Sequence, residues 1–121
     1  MTAHVGMPRV VIVGGGFTGG AVAVHLARQA MAPLAITILE PRPALGGGVA
    51  YSSTDPAHRT NVAAQRMSLF SDDEGHFVRW LAASDALHGD PEAELPDGRI
   101  YPRRQVFGAY VAAQLQSASA S

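Results

Sequence analysis

The 121-residue chain has no cysteine at all. Disulfides, thiol nucleophiles and thiolate metal sites are therefore excluded, and the expectation is a metal-free protein of a reducing, cytoplasmic compartment. An excess of charge of either sign is also missing. Nine basic residues face ten acidic ones, a net charge of −1, so there is no electrostatic footprint for nucleic acid or an anionic membrane surface. No long apolar run is present, because glycines, His25 and Arg28 interrupt the one N-terminal stretch that could be mistaken for a membrane span or a secretory leader. No internal repeat is visible. What remains is a chain with 47% apolar and 16% charged residues, the composition of a folded globular protein. Its length allows one domain at most.

The informative stretch is Arg9 to Ala21. Val10-Val11-Ile12-Val13 is a continuous β-branched run, which predicts a strand buried on both faces, as in a parallel sheet. It leads into Gly14-x-Gly16-x-x-Gly19, and the sequence then turns helical. Glycine-rich turns without a ligand are common, but this one has the context that gives the pattern meaning. A strand precedes it, a helix follows, and a second strand, Ala35–Leu39, ends on Glu40. In the physical account of this pattern Gly14 permits the tight turn. Gly16 lets a pyrophosphate approach the backbone, and Gly19 lets helix and strand lie close. The helix N-terminus supplies free N–H groups and the positive dipole end. Glu40 follows Gly14 by 26 positions, against roughly 20 in the short form of the motif, with the turn around Pro33 taking up the difference. At the end of the second strand its carboxylate can accept hydrogen bonds from an adenosine ribose.

Further along, Met1–Pro8 reads as a loose lead-in and 117–121 as a frayed end. The first helix is predicted from about Gly16 to about Met31, with Phe17, Ala21 and Val24 toward the sheet. His25 is assigned no role. Pro41 to Tyr51 is either a flexible loop or, through Gly46-Gly47-Gly48, a second place where backbone approaches a ligand. Arg42 could reach a phosphate, although the neighbouring Glu40 would repel the 2′-phosphate of NADP. The polar stretch from Tyr51 to Phe70 is long for a loop without a function. Ser71-Asp72-Asp73-Glu74 predicts an N-cap and capping box for a helix through Trp80 and Leu81. Asp97-Gly98 marks a turn. A last helix is predicted from about Pro102 to about Gln116, buried through Val106, Phe107, Tyr110, Val111 and Leu115, with Arg103 and Arg104 solvated.

Several stretches together resemble a known family: VVIVGGGFTGG, ITILEPRPALGGGVAYS, DPAHRTNVAAQRMSLF with DDEGHFVRWL, and DGRIYPRRQVFGAYV. They are similar to the N-terminal FAD/NAD(P)-binding domain of bacterial flavoproteins that include FAD-dependent urate hydroxylase and the nitrosuccinate-forming amino-acid N-monooxygenase. One departure is Ala63, where the family pattern has proline. Another is length, since such flavoproteins are several times longer, so an incomplete Rossmann-like α/β domain spanning residues 1–121 is expected. The resemblance implies that the turn (Gly14, Gly15, Gly16, Phe17, Thr18, Gly19) holds the pyrophosphate of FAD. It further implies that Glu40, with Pro41 and Arg42, lies at the ribose, that Gly47 contributes, and that Asn61, Gln65, Arg66 and Met67 lie toward the flavin ring.

Two functions follow. One is the FAD-binding portion of an oxidoreductase or monooxygenase acting on a small-molecule substrate, with NAD(P)H as a possible electron donor. In such an enzyme the flavin carries the redox chemistry. The other is a non-catalytic FAD- or NAD(P)-binding module, or a fragment without activity of its own. No residue is assigned a catalytic role; His58 and His76 read as surface or loop histidines.

Overall fold

The structure, a computed structural model, describes residues 6–120; residues 1–5 of the expected lead-in and Ser121 lie outside them. Strand β1 (Arg9–Val13) runs into helix α1 (Phe17–Gln29), which returns the chain to strand β2 (Ala35–Leu39). The strands pair in parallel, from Arg9 opposite Ala35 to Val13 opposite Leu39. This is a Rossmann-like βαβ unit in an α/β fold. Helix α2 (His76–Ala83) and helix α3 (Arg104–Ala120) follow, separated by loops with short 3-10 turns at Ala64–Arg66 and Pro91–Ala93.

Burial on both faces of the sheet, which the β-branched runs predict, is not what forms. Val10, Ile12, Ile36 and Ile38 share the face that α1 covers. On the other face Val11, Val13 and Leu39 are 61%, 83% and 52% exposed. Among the described residues no element covers that face. Even the covered face is incompletely filled. An apolar cavity of about 970 Å³ lies between α1, β2 and the C-terminal part of α3, lined among others by Ala23, Ala27, Ile36, Ile38, Leu45 and Leu115.

The orientation of α1 also differs from expectation. Gly19 faces Ile12 of β1, and Ala23 and Ala27, on the same stripe, face the cavity over β2. The bulkier stripe of Phe17, Ala21 and Val24 turns away from the sheet, into a core shared with α2 and α3. Small residues allow close approach to the strands, while the large ones find volume among the helices. That core is aromatic: Phe77, Phe107 and Tyr110 are buried together with Val111, and Trp80 packs at its edge. Each large apolar side chain fully buried here contributes roughly 1.5–3 kcal/mol. Tyr110 hydrogen-bonds at its hydroxyl with the Leu69 amide (3.2 Å) and His76 Nδ1 (2.7 Å). His76 is thus a packed residue at the start of α2. His25 likewise has a partner, with Nε2 2.8 Å from the Leu69 carbonyl oxygen.

The capping box does not form. Phe70 and Asp73 carbonyls accept the Asp73 and His76 amides in consecutive turns, so α2 begins only at His76 with Gly75 as its N-cap. The Asp73 carboxylate pairs with Arg79 instead of capping. At the other end, α3 continues to Ala120, past the predicted stop at Gln116. The Asp97-Gly98 turn is as expected, with Leu95 and Arg99 paired across it at 2.8 Å and Gly98 at φ +93°. Arg59 grips Asp90 with two nitrogens, at 2.7 and 3.0 Å, and the Tyr101 carbonyl at 2.8 Å. Arg104 is not simply solvated either: its Nε donates to the Arg59 carbonyl (2.9 Å) and a terminal nitrogen donates to Asn61 Oδ1 (3.1 Å).

The uncovered face yields a direct prediction. Replacing Val11 and Val13 together by threonine keeps β-branching but removes exposed apolar surface. Stability should change by less than about 0.5 kcal/mol per site, as for ordinary surface substitutions, while binding of the dye ANS and aggregation on heating fall. A large loss of thermal midpoint would show instead that this face is buried.

Candidate functional site: the glycine cradle

The site begins where β1 stops. Gly14 sits at φ +96° with open space around it, a conformation that side-chain-bearing residues rarely adopt. Its amide donates to the Leu39 carbonyl (2.8 Å), which holds the turn against the end of β2. A methyl group on Gly19 would overlap the Gly14 carbonyl oxygen. The first turn of α1 can therefore sit under the loop only if residue 19 lacks a Cβ. Gly16 is the N-cap of α1. No side chain caps that end, and its first turn carries no acidic residue. The amides there are left pointing outward with the positive helix end behind them, an arrangement suited to an anion.

Two other segments complete the arrangement. Glu40, at the end of β2, turns its carboxylate inward. Oε1 accepts the Gly15 amide and Oε2 the Arg42 amide, both at 2.9 Å, and the side chain is only 4% exposed. The Arg42 guanidinium stands 3.6 Å from Oε2 and is itself 44% exposed. The second segment is Gly46-Gly47-Gly48. The Gly46 amide donates to the Gly15 carbonyl at 2.6 Å. Gly48 lies so close that a Cβ on Gly16 would come within 3.1 Å of its Cα. Gly16 is thus short of room on the side of this second loop, a constraint beyond the ligand approach read from its spacing.

The structure brings Gly14 to Gly19, Glu40, Arg42 and Gly46 to Gly48 together. Gly15 and Gly47 are buried, Phe17 and Gly16 half-buried, and Thr18, Pro41 and Arg42 exposed. Asn61, Gln65 and Met67 are engaged elsewhere. Asn61 receives Arg104. Gln65 donates to the Gly98 carbonyl (2.8 Å) and accepts the Ile100 amide (3.2 Å). Met67 packs on the aromatic core. Among the described residues none of these three is hydrogen-bonded to the glycine turn. Ala63, where the resemblance leads one to expect proline, has φ −63°, a value compatible with a proline ring.

Two participants escape the spacing argument. Tyr51 closes the second loop, its amide on the Gly47 carbonyl (2.9 Å) and its ring 4.8 Å from that of Phe107. Gly108 is buried in α3 against it. The available signal was a glycine inside a helical pattern, which costs about 1 kcal/mol relative to alanine and so points to close packing.

Electrostatics bind Glu40 to its place. The Arg42 amide first, then the Gly15 amide, hold its carboxyl below the usual glutamate range, with the Arg42 charge adding to them. A carboxylate depressed in the folded state stabilises fully above its unfolded pKa of about 4.3 and loses that contribution as pH falls through the folded value. Wild type should therefore melt higher than Glu40→Gln at pH 7, because the amide group faces one of the two N–H donors with a donor of its own. The gap should narrow steadily below about pH 4. A gap that is constant from pH 7 to pH 3 would place the carboxylate away from those amides.

Among known protein families, the one described as FAD-NAD(P)-binding matches residues 11–121. No curated protein and no solved structure matches the chain.

Proposed function

On the premise that the chain belongs to the FAD-NAD(P)-binding family, we propose that it holds the ADP portion of FAD in the glycine cradle and forms the FAD-binding part of a flavin-dependent oxidoreductase of the monooxygenase type. The observation that carries the reading is the uncapped, acid-free N-terminus of α1, with a buried Glu40 one strand away. The amides of residues 16 to 19 take the pyrophosphate. Glu40 offers its carboxylate to the adenosine ribose by exchanging one backbone partner for a hydroxyl. Phe17, at the start of α1, fixes the helix through ring contacts with Tyr51 (6.5 Å) and Phe107 (5.6 Å). When bound, the flavin supplies the redox chemistry, and the polypeptide supplies binding and orientation.

The finer assignment rests on the stretches that resemble urate hydroxylase-like and nitrosuccinate-forming flavoproteins. Preference for FAD or NAD(H) over NADP follows from Glu40, since a buried carboxylate repels a 2′-phosphate. In this reading Asn61, Gln65 and Met67 border the flavin side of the pocket, the substrate is a small molecule, NAD(P)H is a possible donor, and the setting is cytoplasmic. Among the described residues no helix is long and apolar enough to cross a membrane.

The test is Gly16→Val. A branched side chain there enters both the anion position and the space before Gly48. FAD affinity should fall at least about tenfold, the equivalent of roughly 1.4 kcal/mol, with the far-ultraviolet spectrum near wild type. Glu40→Ala should weaken FAD but barely affect FMN, which lacks the adenosine. Equal losses for both ligands would move Glu40 away from the ribose, and full FAD binding by Gly16→Val would move the pyrophosphate away from this turn.

A further inference from the structure

We propose that helix α3 is the buttress of the glycine cradle and that Gly108 is the positioning residue through which it acts. The inference rests on the reading of the cradle as the pyrophosphate site. A Cβ on Gly108 would lie 2.6 Å from the Tyr51 carbonyl oxygen and 3.4 Å from Gly47 Cα. Both are backbone atoms, so no rotamer change relieves the contact. One turn further along α3 the same loop touches the helix again. A Cβ on Gly46 would meet Val111 Cγ1 at 2.9 Å and the Ala112 amide nitrogen at 3.0 Å.

The opposite side of this loop forms the cradle, through the Gly46 amide on the Gly15 carbonyl and Gly48 against Gly16. The loop from Gly46 to Tyr51 is thus held between α3 and the dinucleotide turn, with main chain at both contacts. The Ser52 hydroxyl on the Gly48 carbonyl tightens it further.

The helix is not free to yield. Its first residue is fixed to the stretch 58–61, between β2 and α2, by three hydrogen bonds. The Arg104 amide donates to the His58 carbonyl (2.8 Å), and its side chain reaches Arg59 and Asn61. Phe107, Tyr110 and Val111 are buried in the aromatic core. A methyl group at position 108 therefore displaces the loop rather than the helix, and the displacement reaches Gly15 and Gly16.

The experiment titrates the protein with FAD and with ADP, which carries the pyrophosphate and ribose without the flavin. Gly108→Ala should raise the dissociation constants of both at least tenfold with the far-ultraviolet spectrum unchanged. Ala109→Gly, at the exposed neighbouring position, should lower the thermal midpoint yet leave both constants within twofold. A merely structural role for position 108 would make affinity follow the midpoint in both variants. Gly108→Ala that binds like wild type, while Gly16→Val does not, overturns the buttress and leaves the cradle standing. Gly16→Val that binds like wild type overturns both. If Gly108→Ala does not fold, Tyr51→Leu takes its place. That variant removes only ring contacts to Phe17 and Phe107, so it is paired with Val111→Ala, which withdraws the side chain that α3 sets against Gly46. Wild-type affinity in folded Val111→Ala refutes the proposal.

Discussion

The close approach of two glycine segments is the constraint on which the rest of the molecule depends. Gly46 donates to Gly15 at 2.6 Å, and Gly48 lies so close that a Cβ on Gly16 would come within 3.1 Å of its Cα. Main chain packed on main chain at this distance fixes both loops more tightly than flexible side chains could, since neither partner can rotate away. The price is glycine's conformational entropy at several positions. It is offset by the aromatic core on one side and the strand pairing on the other. The start of α1 is therefore held in place by packing within the chain, an arrangement that lowers the cost of binding an anion there.

Glu40 plays a double part in this arrangement. Its two oxygens satisfy the Gly15 and Arg42 amides, and burial without those partners would be costly. In the proposed complex the same carboxylate accepts a hydrogen bond from the ribose. In the proposed reading a single acidic residue both stabilises the turn and discriminates between nucleotides. Those amides hold its carboxyl below the usual glutamate range, so the charge persists to lower pH than on an ordinary glutamate.

The βαβ unit was legible in the sequence because its signals are local: a β-branched run, glycines at fixed offsets, and an acid at the end of the next strand. The Asp97-Gly98 turn and the apolar positions of α3 were legible for the same reason. Other features depend on tertiary contacts that periodicity does not carry. The strands look buried on both faces because their residues are apolar, yet only one face meets a helix. The α1 stripe of Phe17, Ala21 and Val24 faces α3 because small residues, not large ones, fit against the sheet. Ser71 to Glu74 has capping-box residues, but the consecutive turns at Phe70 and Asp73 delay the helix to His76. Arg104 looks solvated in sequence, and only the fold places Arg59 and Asn61 within its reach. Gly108 depends on a loop more than fifty residues earlier in the chain.

The central claim is that the turn between β1 and α1, together with the second glycine segment, is one preformed nucleotide-binding surface. The most direct measurement is the change in amide NMR shifts of nitrogen-15-labelled protein as ADP is added. The largest changes should fall on Gly15 to Gly19, Arg42 and Gly46 to Gly48, with α2 and the Asp97-Gly98 turn almost unaffected. Shifts concentrated instead on Ala27, Ile38 and Leu115, around the apolar cavity, with the glycine amides unmoved, would contradict it.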